Sequence, residues 1–162
     1  MKMINIPIKY LPRRLSLKDK KLQIKQLKAS RNAYKKKRYL TRKNVHSYKS
    51  KKSPHIAKAQ KLYKLKNIAI NSDLVNATGC SKNALLQIVK KGRGAYYSSG
   101  SRPNQSAHSW GYARLASAIS GGKASAIDYK ILERGCSSNS KALKLALKAK
   151  NSGTRKVPKI KI

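Results

Sequence analysis

Residues 1–66 carry 23 Lys and Arg and a single acid, Asp19, a density of like charge that no isolated globule tolerates easily. Residues 67–135 hold nine basic and three acidic residues, and residues 136–162 hold eight basic and none. The total is +36 over 162 residues, but only +6 of it falls on the middle of the chain. Eight of the nine glycines lie between Gly79 and Gly135. The pattern predicts a mainly α protein: a compact helical domain at 67–136 with a Gly/Ser-rich loop, between two long basic arms. The first arm, 1–66, combines an extended segment with helices. The second, 137–162, is a basic helix with an extended tail.

The same arithmetic excludes chemistry. Asp19, Asp73, Asp128 and Glu133 are too few for a carboxylate metal cage or an acid/base pair, so no metal and no cofactor is expected. Ser120-Gly121-Gly122-Lys123 fits an S-x-x-K pattern, but so does 138–141, and the companion motifs of that enzyme class are absent. His108, Asp128 and a serine have no spacing that makes a triad. No catalytic residue is assigned, and the protein is read as a non-enzyme. No stretch of about 18 apolar residues exists to span a membrane. Residues 1–12 lack a signal-peptide pattern, because Pro7 interrupts them and Arg13-Arg14 follow. An intracellular origin is therefore expected.

Local signals place the elements. Ile4, Ile6, Ile8 and Tyr10 alternate with polar residues and Pro7, as in an edge strand, and 157–162 alternate likewise. Both ends are expected to add to the sheet edge of another protein. Ser16 and Asp19 form a capping box for a helix over 17–40, with Leu15, Leu22 and Ala29, and Leu17, Ile24 and Arg31, on its stripe, filled in by Leu27 and Tyr34. Residues 41–52 read as a linker, and Ser53-Pro54 opens the next helix. In the middle, Ser72, Ser81, Ser106 or Ser109, and Ser125 start short helices. Gly79, Gly92, Gly121-Gly122 and Gly135 stop them. The run 92–105 is too rich in Gly, Ser and Pro to be helical, with a short strand at Tyr96-Tyr97. Trp110, Leu115 and Ile119 supply the domain core. Ser140 caps a final helix that ends before Gly153.

The candidate anion-contacting residues are Lys35, Lys36, Lys37, Arg38, Arg42, Lys43, Lys51 and Lys52 in the basic runs. Arg93 and Arg102 join them, flanking a Gly-rich loop able to form a backbone nest. Each phosphate so neutralised on duplex DNA steepens the log–log salt slope by about 0.9. No zinc-finger, zipper or aromatic RNA-binding signature accompanies them, so sequence readout is not expected. Cys80 and Cys136 bracket the middle domain as free thiols or as a disulfide. An intracellular setting favours the thiols.

The stretch 92–132, with its elements YSSGSRPNQ, HSWGYARLASAI and GGKASAIDYKIL, followed by Gly135-Cys136, resembles a small basic domain of large double-stranded DNA viruses and some phages. It does not extend to either arm. The resemblance implies a virion structural protein, minor capsid protein-like, on the inner face of the capsid and made in the host cytoplasm or nucleus. Major and other minor capsid proteins would be its partners, stapled together by arms that reach about 200 Å when extended. The rival reading is a virion protein that condenses viral DNA without sequence preference. A third partner is an anionic inner membrane surface, met through Lys-rich helices.

Overall fold

The computed structural model describes residues 2–162 and is mainly helical. Its backbone forms two compact units, each assembled from separated segments. Unit 1 comprises Met1–Lys51, Arg93–Trp110 and Lys156–Ile162; unit 2 comprises Lys52–Gly92 and Gly111–Arg155. The division suggested by charge, with breaks near 66 and 136, is thus not the one the backbone makes.

Unit 1 absorbs both basic ends of the chain. Strand β1 (Asn5–Pro7) pairs antiparallel with β2 (Lys159–Lys161), Ile6 opposite Ile160. Reciprocal Ile4–Ile162 backbone hydrogen bonds of 2.9 Å extend the ladder. The termini therefore pair with each other. Helix α1 (Leu17–Lys35) starts as its cap predicts, with Ser16 Oγ accepting from the Asp19 N–H at 3.1 Å. It stops five residues short of the expected end. The Arg38 N–H bonds to Ala33 O and the Lys37 N–H to Tyr34 O, both at 2.9 Å, around a left-handed Lys37 (φ 58°). That is a Schellman stop.

The buried face of α1 keeps Leu27 of the expected stripe, with Leu22 and Ile24 half-buried against the same core, but is otherwise polar. Asp19, Gln23, Leu27 and Ser30 point inward, while Leu17 is 70% exposed. Gln23 Nε2 donates to Tyr10 O (3.1 Å) and Ser101 O (3.4 Å). Around them Ile6, Tyr10, Leu11, Leu15, Leu27 and Val45 form a core, with Trp110 packed at its side. Trp110 meets Tyr10 edge-on, ring centroids 5.9 Å apart. Trp110 therefore belongs to a different core from Leu115 and Ile119, with which the sequence had grouped it.

Residues 41–51 have no regular structure, but they are a strap rather than a linker. The side chain of Gln26 brackets the Lys43 backbone, and that of Asn104 accepts from the Val45 N–H at 2.7 Å and donates to Val45 O at 3.0 Å. The Asp19 carboxylate accepts from the Ser47 N–H (2.7 Å) and Oγ–H (2.6 Å). Arg42 is buried.

Unit 2 contains α2 (Pro54–Tyr63), α3 (Ser72–Thr78), most of α4 (Lys82–Ser98) and of α5 (Ala107–Ile119), α6 (Lys123–Ile127), α7 (Tyr129–Gly135) and α8 (Lys141–Ser152). Its core includes Leu74, Leu85, Ile88, Leu115, Ile119 and Leu132, all fully buried. Several caps are as read: Pro54 at the first helical position, Gly79 left-handed (φ 71°), and Ser140 Oγ accepting from the Leu143 N–H. Others move. Asn71, not Ser72, caps α3, and Ser125 Oγ turns back to Gly122 O instead of opening a helix at 126.

The largest departure from expectation is α4, which continues through Gly92-Arg93-Gly94 to Ser98. Two glycines disfavour a helix by about 1 kcal/mol each. Burying the whole of Tyr96 contributes about 1.5–3 kcal/mol, and its hydrogen bonds add to that. Packing therefore outweighs propensity.

Candidate polyanion-binding surface

The basic residues separate into those spent inside the fold and those left facing water. Arg42, expected to contact anions, is in the first group, with 8% of its surface exposed. Its Nη1 donates to Ser30 Oγ and Tyr96 O, and its Nη2 to Ser101 Oγ, each at 2.8 Å. Burial pushes its guanidinium below the ordinary arginine range, opposed by the neighbouring Tyr96, Tyr10 and Tyr97. Arg42 is a clamp, not a phosphate ligand. Arg31 is similar, donating through Nε to Ser99 O and through Nη2 to Asn5 O, both at 3.0 Å.

The carboxylates are also drawn inward. Asp19 has little exposed surface, and its bonds from Ser47 hold its carboxyl below the usual range. Asp128 is 1% exposed; Arg114 grips both its oxygens at 2.8 Å and Lys91 Nζ reaches one at 2.7 Å. Burial opposes ionisation of Asp128, but the Arg114 and Lys91 bonds outweigh it and its carboxyl lies low. Asp128 is thus engaged by Arg114 and Lys91. Asp73 and Glu133 remain on the surface.

What faces water is almost purely cationic. Unit 1 carries 23 Lys and Arg and one acid, the inward Asp19. Lys35, Lys36, Lys37 and Arg38 are exposed and cluster where α1 turns, and Lys43, Lys51, Arg93 and Arg102 are exposed on the same unit. Lys52 is exposed on unit 2. A backbone nest around Arg93 does not form, because Gly92–Gly94 is helical and its N–H groups are turned into α4.

One feature of the surface escaped the sequence reading. The Schellman turn after α1 brings Tyr39 back beside Tyr34 and Tyr97, with centroid separations of 6.0 and 5.1 Å. The interleaving Tyr34-Lys-Lys-Lys-Arg-Tyr39 is visible in the sequence, but Tyr97 is a long-range neighbour. In unit 2 a cleft of about 280 Å³ is lined by Lys91, Lys130, Lys150, Ile127, Asp128 and Tyr129. Lys150 Nζ lies 4.3 Å from the Tyr129 ring centroid there.

Cys80 and Cys136 form a disulfide, S–S 2.01 Å, which replaces the expected free thiols. The flanking backbone brings them together: the Ser81 N–H bonds to Gly135 O at 2.7 Å and the Ser137 N–H to Gly79 O at 2.9 Å. A Cβ on Gly135 would lie 2.3 Å from Ala84 Cβ, so this approach requires glycine.

A family model described as a family of unknown function, DUF5824, matches residues 7–134. The chain belongs to that family. The DUF5824 match takes in α1 and the strap as well as the stretch 92–132, so it spans residues from both units. No curated protein and no solved structure matches the chain. No three His, Cys, Asp or Glu side chains among the described residues are grouped to hold a metal. No described helix is long and apolar enough to cross a membrane.

Proposed function

We propose that this DUF5824 protein is a non-catalytic virion component that binds double-stranded genomic DNA by charge, without reading its sequence. The observation that carries this reading is the segregation of charge. Asp19 and Asp128 are consumed inside the fold, while Lys35–Arg38, Lys43, Lys51 and the other surface cations face water with scarcely a carboxylate among them. Such a surface repels itself and is relieved by a polyanion. The paired termini and pinned strap favour DNA over long-range stapling, because residues 1–51 fold back and have no extended arm to offer.

A minor capsid role, contacting major and other minor capsid proteins from the inner side of the shell, keeps one specific support. Ile127 and Leu147 expose 55% and 44% of their surface on unit 2, apolar area suited to a protein neighbour.

The deciding measurement is binding of the full chain to two unrelated 30-base-pair duplexes between 50 and 200 mM salt. Equal affinities that fall steeply with salt are expected. A flat salt response, or a strong preference for one duplex, overturns the DNA reading.

A further inference from the structure

We infer that Tyr34, Tyr39 and Tyr97 form a stacking platform for single-stranded nucleic acid. Lys35, Lys36, Lys37 and Arg38 supply the phosphate contacts beside it. This deepens the proposed function and rests on its premise that the polyanion is nucleic acid.

The rings form a chain. Tyr34 meets Tyr39 at 6.0 Å and 62°, Tyr39 meets Tyr97 at 5.1 Å and 59°, and Tyr97 meets the buried Tyr96 at 5.1 Å and 88°. Only the inner end is a core residue. Tyr39 is 65% exposed, Tyr34 38% and the adjoining Leu40 43%, so the outer rings leave open face to solvent. A cluster serving only to seal the end of α1 would not turn its central ring outward.

The platform is also anchored. The Schellman turn fixes Tyr39, and Ser30 Oγ donates to Tyr97 O at 3.3 Å, tying the two helices that present the rings. A Cβ built on Gly94, one turn before Tyr97, meets nothing within 4 Å, leaving that surface open. Arg93, four residues before Tyr97, shares its helix face.

Duplex DNA hides its base faces, so exposed tyrosines add nothing to a phosphate-only contact. An unpaired strand offers every base a π-face beside a phosphate every few ångströms. Rings interleaved with cations match that arrangement, and every base can use it. Regions where the genome is unpaired, or single-stranded RNA, supply the same chemistry.

The test uses the full chain with a labelled 15-mer of thymidine and a 15-base-pair duplex, read by fluorescence anisotropy at 150 mM salt. Y39A is expected to weaken the single strand about tenfold and the duplex less than about twofold, with Y39F near wild type. A strand carrying 5-iododeoxyuridine should photocrosslink to Tyr39 or Tyr97. Unchanged single-strand affinity in Y39A, or crosslinks confined to other peptides, overturns the platform. If Y39A weakens neither ligand while wild type still binds duplex, the platform alone falls. If wild type binds neither nucleic acid at 50 mM salt, the proposed function falls with it.

Discussion

Arg42 lays its guanidinium 3.9 Å from the centroid of the Tyr96 ring, while its own backbone N–H donates to the Tyr96 hydroxyl at 3.0 Å. The two residues are 54 positions apart, and through them the strap is locked onto the end of α4. A buried cation with no carboxylate is stabilised here by neutral acceptors and a π-face.

Arg42→Lys keeps the charge but loses the planar fork that reaches Ser30, Tyr96 and Ser101 together. The expected loss is about 2–3 kcal/mol in urea unfolding. Because Arg42 faces inward, the salt slope of DNA binding should not change. Lys43→Ala, one residue away and exposed, should do the opposite and leave stability within about 0.5 kcal/mol. A reduced slope in Arg42→Gln, measured where that variant stays folded, would show that the guanidinium contacts phosphate.

The disulfide closes a loop with a sequence separation of 56. Constraining a loop of that length in the unfolded chain contributes on the order of 4 kcal/mol. The double variant C80S/C136S should therefore unfold at distinctly lower urea than the oxidised protein. It should match wild type held in reductant. Equal midpoints for oxidised and reduced wild type would mean that the cross-link contributes nothing.

Asp128 links stability to pH. Its carboxyl is held low in the folded state and titrates near pH 4 when unfolded. Below that value the unfolded chain takes up protons first, so stability falls as pH drops and is fully present above it. Asp128→Asn leaves Arg114 and Lys91 facing each other without a counter-charge, a loss of about 2–4 kcal/mol at pH 7. The gap between variant and wild type should narrow as both are taken from pH 6 toward pH 2.5. A gap that stays constant would mean that Asp128 is protonated throughout.

What the sequence revealed follows from the range of each interaction. Ser16, Pro54, Gly79 and Ser140 mark helix ends through groups three or four residues away, and all were legible. Gln23, Ser30 and Arg42 are polar residues buried by partners 12 to 78 positions distant, and an apolar stripe assigns such residues to solvent. Helix α4 survives two glycines because Tyr96 is buried, and that burial depends on Arg42 from another segment. Pairing of the two termini is equally non-local. The candidate surface follows the same division: Lys35–Arg38 could be read directly, while Tyr97 beside Tyr39 could not.

Lys37 occupies the left-handed position of the α1 stop, where glycine is the ordinary residue. A β-carbon there is disfavoured by about 1–2 kcal/mol, offset in part by the greater freedom glycine has in the unfolded chain. Lys37→Gly should accordingly raise stability by about 0.5–1 kcal/mol, read as a higher urea midpoint. The same change removes one exposed cation beside Tyr39, so the salt slope of DNA binding should fall by about one unit. Stability and binding then move in opposite directions in a single variant, which fits a lysine kept for its charge at a position its backbone does not favour. A Lys37→Gly protein that gains stability and binds DNA with an unchanged slope would remove Lys37 from the contact surface.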